Sequence, residues 1–245
     1  MFKPIVFSAF GAGLLVCLAV SALQFVTTEP LILHAEEFEG VTGEAHDHGA
    51  AAEGTGTDAT QVDVHEDGDA HVHDEEEWAP ADGFERAAYT ALANLVIGFA
   101  VSLMLLGAMV LKGDPIDARR GFLWGAAGFA AVSLLPALGL PPELPGTPAA
   151  DIVARQVWWL GAAAASAAGI ALIAFSLHWA VKVAGVALLV APHVIGAPVP
   201  PSHDVTYPGA LAGEFVIASL IVSGLLWSLS GLAAGWLHQR LSRAE

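Results

Sequence analysis

At 245 residues, 55% hydrophobic and 14% charged, the chain has a mean hydropathy of +0.61. This excludes an ordinary soluble domain, because runs of about 20 apolar residues without a polar face are bilayer spans, not amphipathic surface helices. The formal net charge of −16 excludes a nucleic-acid partner, since an anionic excess attracts cations and repels phosphate.

Six apolar segments follow in chain order: residues 5–26, 87–111, 121–138, 157–177, 181–195 and 215–237. They predict an all-α fold, a polytopic transmembrane helical bundle of five to six spans. The chain divides into a first transmembrane segment (1–26), an external His/Asp/Glu-rich loop (27–86) and the remaining bundle (87–245). The first segment carries Cys17 in mid-run, where the only cysteine of the chain admits no internal disulfide. Val20-Ser21-Ala22 loosely resembles a signal-peptidase site, but the apolar run continues to Val26 and favours retention as a span. The fifth segment is short and joined to the fourth by a tight link around His178 and Trp179. Five spans plus a re-entrant piece is therefore the alternative.

Between the first two segments lies the most unusual stretch. Residues 34–77 hold fifteen Asp and Glu, six of the ten histidines, and no Lys or Arg. His34, His46, His48, His65, His71 and His73 stand among Gly, Ala and Thr spacers, a composition that predicts a disordered loop. His46-Asp47-His48 and His71-Val72-His73-Asp74 set paired imidazoles beside carboxylates, a donor set suited to divalent cobalt, nickel, zinc or copper. No fixed Cys/His zinc-finger spacing is present.

Lys and Arg placement gives the orientation. With the N-terminus inside, six spans put Lys3, Lys112, Arg119, Arg120, Lys182, Arg240 and Arg243 in the cytoplasm and only Arg86 and Arg155 outside. Both termini are then cytoplasmic and the His-rich loop external, or periplasmic in a bacterial inner membrane. The first, third and fifth segments end toward that outer face at prolines: Thr28-Glu29-Pro30, Leu140-Pro141-Pro142 and Ala197-Pro198-Val199-Pro200-Pro201.

Polar residues near spanning depth are the next metal candidates. His193 follows Pro192 at the outer end of the fifth segment, where a broken helix would offer backbone carbonyls. Glu214 opens the sixth segment, His203 and Asp204 lie in the loop between, and Glu29 ends the first. All converge by topology on one external mouth. Trp158, Trp159, Trp179 and Trp236 read as interfacial anchors, and His178 as a release-side ligand or a plain hairpin residue. Small residues at four-residue spacing (Gly121/Gly125, Gly161/Ala165/Gly169, Gly231/Gly235) predict close helix packing.

Glu29-Pro30-Leu31-Ile32, Leu140-Pro141-Pro142-Glu143-Leu144-Pro145-Gly146, Arg155-Gln156-Val157-Trp158-Trp159 and Pro192-His193-Val194-Ile195-Gly196-Ala197-Pro198 together resemble the CbtA family over nearly the full length. The resemblance implies a cobalt transporter subunit of a bacterial inner membrane, and a small one-span, His-bearing CbtB partner. The divalent metal ion, cobalt first, is then substrate and no cofactor is implied.

The residues exclude other chemistry. No G-x-x-x-x-G-K-[ST] nucleotide loop, H-E-x-x-H metalloprotease motif or G-x-S-x-G nucleophile elbow occurs, so the chain is not expected to be an enzyme. Two readings remain: membrane transport of the cation itself, or an accessory metal-binding protein that delivers cobalt, nickel or zinc to a separate permease.

Overall fold

The computed structural model describes residues 2–44, 80–81, 83–113 and 115–243. Seven α-helices occur among them: α1 (Phe2–Val26), α2 (Thr28–Glu44), α3 (Phe84–Lys112), α4 (Ala118–Phe129), α5 (Ile152–Phe175), α6 (Trp179–Ile195) and α7 (Gly209–Ser242). The described residues include no strand. Apolar runs form helices because a backbone in lipid must satisfy its own N–H and C=O groups. Five segments are long and apolar enough to cross a membrane, and α6, at 17 residues, is a shorter apolar helix.

The helices alternate in direction. On α1 and α3, Gly13 faces Phe99 and Gly98 faces Val16, while Asn94 donates to Gln24 Oε1 at 2.6 Å and Ser21 Oγ at 3.0 Å. An amide inside a membrane bundle needs such partners, each worth about 0.6 kcal/mol. α7 runs antiparallel to α1, with Leu237 against Gly11 at one end. α1, α3, α4 and α7 thus form a four-helix core, to which the α5–α6 hairpin is joined mainly through α5. All seven cytoplasm-assigned Lys and Arg gather at one end of the bundle, called here the basic end. The opposite end receives the His-rich insert and is called the acidic end.

Glycines set the closest crossing. An added Cβ on Gly121 or Gly231 would overlap the other's carbonyl, and one on Gly235 would lie 2.8 Å from the Asp117 carbonyl carbon. The expected small-residue faces of Gly121/Gly125 and Gly231/Gly235 therefore meet each other. Gly169 likewise meets Gly185 of α6, whereas Gly161 faces open space.

Three features differ from the sequence reading. Thr28–Glu44, read as the start of the external loop, is helix α2. Pro30 falls in its first turn, where the missing N–H has no helical partner to lose. Leu31, Ile32, Ala35 and Phe38 then form an apolar stripe against Leu144, Tyr207 and Leu211. Second, Pro192 does not break α6, which continues through it to Ile195. The proline deprives only the Leu188 carbonyl of its helical donor, and Gly196, at φ 88°, ends the helix three residues after His193. Third, the close of the third apolar segment (121–138) is not one regular helix. There α4 widens into a π-turn over Ala130–Leu134, with Leu135 N–H bonded to Ala130 O at 3.0 Å, then tightens to a 3₁₀ turn. Of the loop's histidines, His46, His48, His65, His71 and His73 lie outside the described residues.

Candidate metal site

The acidic end collects the remaining candidates, as the topology requires. Its two cations are both held by carboxylates. Arg86 forms a forked pair with Glu36 (2.7 and 3.3 Å), and Arg155 meets Glu143 at 2.7 Å. Both arginines therefore have their charge answered locally.

The described candidates do not all share one place. His34 is exposed on α2, its ring 5.4 Å from Phe38. Glu29 is half-buried in the first turn of the same helix, and Glu214 is exposed on α7. His193 and His203 do come together. They line one pocket of about 380 Å³ between the end of α4, the start of α5, the end of α6 and the proline loop after it. Among the described residues, no group of three or more His, Cys, Asp or Glu is assembled.

Local sequence builds this pocket. Gly139 leaves room for an indole: an added Cβ would lie 2.7 Å from Trp158 Cζ2 and 3.1 Å from the Ala197 Cβ. Trp158 therefore reaches the pocket and meets the His193 ring edge-on, with centroids 6.1 Å apart. Pro198 and Pro200 hold the far wall at fixed φ. His193 Nε2 and Trp158 Nε1 are both buried without a hydrogen-bond partner. Each such group costs about 1–3 kcal/mol when left unsatisfied; Ser166 Oγ, Ser230 Oγ and His238 Nδ1 share that condition elsewhere among the described residues.

Trp158 is the residue that the anchor reading missed. A signal existed, because adjacent helical residues point about 100° apart and Trp158-Trp159 cannot both face the same lipid. Of the other anchor candidates, Trp179 is 78% exposed, and Arg240 lies over the Trp236 ring at 5.2 Å. His178 occupies the N-cap position of α6, exposed at the basic end and without a side-chain capping bond.

A family model, CbtA, described as a probable cobalt transporter subunit, matches residues 2–239. The chain belongs to the CbtA family. No curated protein and no solved structure matches it. As a CbtA member with five long apolar helices, it is a multi-pass membrane protein of a transport family, and the word subunit implies a partner.

Proposed function

We propose that the chain takes up a divalent transition-metal cation, cobalt first, across a bacterial inner membrane from the acidic end to the basic end. The observation that carries this reading is the pair of unpartnered buried nitrogens, His193 Nε2 and Trp158 Nε1, in a pocket shared with His203. Imidazole nitrogen is a natural ligand for cobalt or nickel. The indole N–H donates only, so it cannot bind the cation; it serves a water or carboxylate oxygen that the ion brings with it. His193 thus supplies a ligand, and Trp158 orients the retained shell.

The insert histidines, with His34, Glu29 and Glu214, are the capture field that raises local ion concentration before hand-over. No nucleotide motif is present, and none is required. Two charges moving inward gain about 5 kcal/mol per 100 mV, enough for more than about a thousandfold accumulation. Deleting residues 45–74 should therefore weaken uptake at scarce cobalt while leaving the maximal rate in membrane vesicles largely intact. The insert's contribution should shrink as pH falls, because a protonated imidazole has no lone pair to give. Total loss of transport at saturating cobalt, with normal membrane abundance, would remove the antenna role.

Orientation is tested separately. In a Cys17→Ser background, a cysteine at Thr57 should react with an impermeant maleimide added outside, and one at Asp117 or Ser242 should not. Labelling at Asp117 would reverse the bundle. Membership in a family of transporter subunits favours a second reading, in which the chain delivers metal to a separate permease such as one built with a one-span CbtB-type partner. That reading expects His193 to be dispensable for transport.

A further inference from the structure

A second cavity among the described residues lies at the basic end, away from His193 and His203. It is an apolar groove of about 650 Å³ between α3, α4 and α5, within the range of small-molecule sites. Its walls carry Ala108, Ala127, Ala131, Ala167 and Ala171, so no side chain of the bundle fills it. Trp227, 7% exposed, closes the deep end by covering Gly128. At the shallow end stands a polar lip. Arg120 lines the groove there, Trp124 stacks on Phe175 with centroids 5.9 Å apart, and Lys112 Nζ sits 4.6 Å above the Phe175 ring.

Dimensions decide what fits. From Arg120 to Val132 the groove follows twelve helical rises of the α4 segment, about 18 Å, and along α5 from Ala167 to Phe175 eight, about 12 Å. One leaflet's hydrocarbon is about 15 Å deep. The groove therefore spans a single leaflet and stops at Trp227, whereas a partner's transmembrane helix would need it to continue through the second. Charge agrees. Lys112, Arg119 and Arg120 are all exposed at the lip. Asp117 is their described counter-charge, with one oxygen capping α4 and the other 3.6 Å from Arg120; Asp114 adds a second acid in the sequence. Three cations against two acids leave an excess that recognises a phosphate, and basic pockets between helices at a membrane surface bind anionic headgroups in this way.

We propose that this groove holds an anionic phospholipid of the basic-end leaflet, one acyl chain lying along Ala127 and Ala171 and the phosphate against Arg120. The idea is independent of the metal reading, since it shares no residue with the His193 pocket.

Protein purified in mild detergent is titrated with phosphatidylglycerol and with phosphatidylcholine of identical chains, and bound lipid is counted by native mass spectrometry. One lipid per chain should bind with at least about fivefold preference for phosphatidylglycerol, the effect of one basic residue near a headgroup. Arg120→Gln should erase that preference while leaving phosphatidylcholine binding in place. Ala127→Leu with Ala171→Leu should abolish binding of both, with secondary structure retained by circular dichroism. Equal affinity for the two lipids, or indifference to both variants, overturns the proposal. A photo-crosslinker at Ala171 should label lipid; labelling of a second polypeptide in native membranes instead overturns it in favour of a partner helix.

Discussion

Gly231→Ala should destabilise the bundle by about 3 kcal/mol, the upper end of the usual cost of overpacking. The added methyl would overlap the Gly121 carbonyl oxygen and stand 2.8 Å from its carbon and 3.1 Å from Gly125 N. All three obstacles are backbone, so no rotamer change relieves them, and α4 must move away from α7. That movement would also stretch the Ser223–Ser133 hydrogen bond, 2.7 Å across the same pair of segments. Gly107→Ala is the control. It lies inside α3 with nothing within 4 Å of the added atom, so the same substitution should be neutral or stabilise by up to about 1 kcal/mol. Thermal unfolding in detergent, read by scattering and by circular dichroism, compares the two. Equal stability of both variants would mean that the helices do not cross at these glycines.

The same glycines show how much of the fold the sequence carried. Hydropathy placed the apolar helices to within six residues at either end, the worst being 215–237 against Gly209–Ser242, because lipid leaves helix as the only local solution for an apolar run. Spacing of Gly121/Gly125 and Gly231/Gly235 marked the faces that pack, but not that they pack on each other. A pattern on one helix does not name its partner, so Gly161, similar in sequence, ends facing open space. The helical start of the insert was hidden by Pro30 and by acids that suggested solvent. Its stripe of Leu31, Ile32, Ala35 and Phe38 finds an apolar surface only where the loop around Leu144 and the start of α7 provide one.

The candidate site was legible in part for the same reason. His193 stood out as a rare imidazole beside a proline near spanning depth, and His203 as its neighbour in the following loop. Their partner Trp158 lies 35 residues before His193 in the chain. It arrives through the antiparallel α5–α6 hairpin and the gap at Gly139, and neither is visible in local sequence. Pro192 suggested freed carbonyls, yet α6 holds together across it and frees the Leu188 carbonyl alone from its helical donor. Glu214, Glu29 and His34 share the acidic end with the pocket without lining it. Topology fixes which end of the bundle a residue occupies, but packing decides which residues touch.

That separation gives the sharpest test of the metal reading. His193→Ala should abolish cobalt uptake into vesicles even at saturating metal, while Glu214→Gln should impair it only when cobalt is scarce. Loss of a partner behind a ligand already lowers metal affinity about 10–100-fold, so loss of the imidazole itself should cost at least about 100-fold. His203→Ala, on the exposed side of the same pocket, should slow loading and leave residual transport. Trp158→Phe keeps an aromatic ring against His193 and removes the N–H that would orient the ion's retained oxygen. It should fall between the other two. Binding can be separated from transport by the visible absorption of cobalt added to purified protein lacking residues 45–74, which removes the competing loop imidazoles. A saturable band lost in His193→Ala and retained in Glu214→Gln would place the ion at the pocket. Each variant must reach the membrane at normal abundance, which the exposed position of Glu214 and the half-buried one of His193 favour. Wild-type transport by His193→Ala at saturating cobalt would make the pocket a structural seam and leave the chain as the delivery subunit.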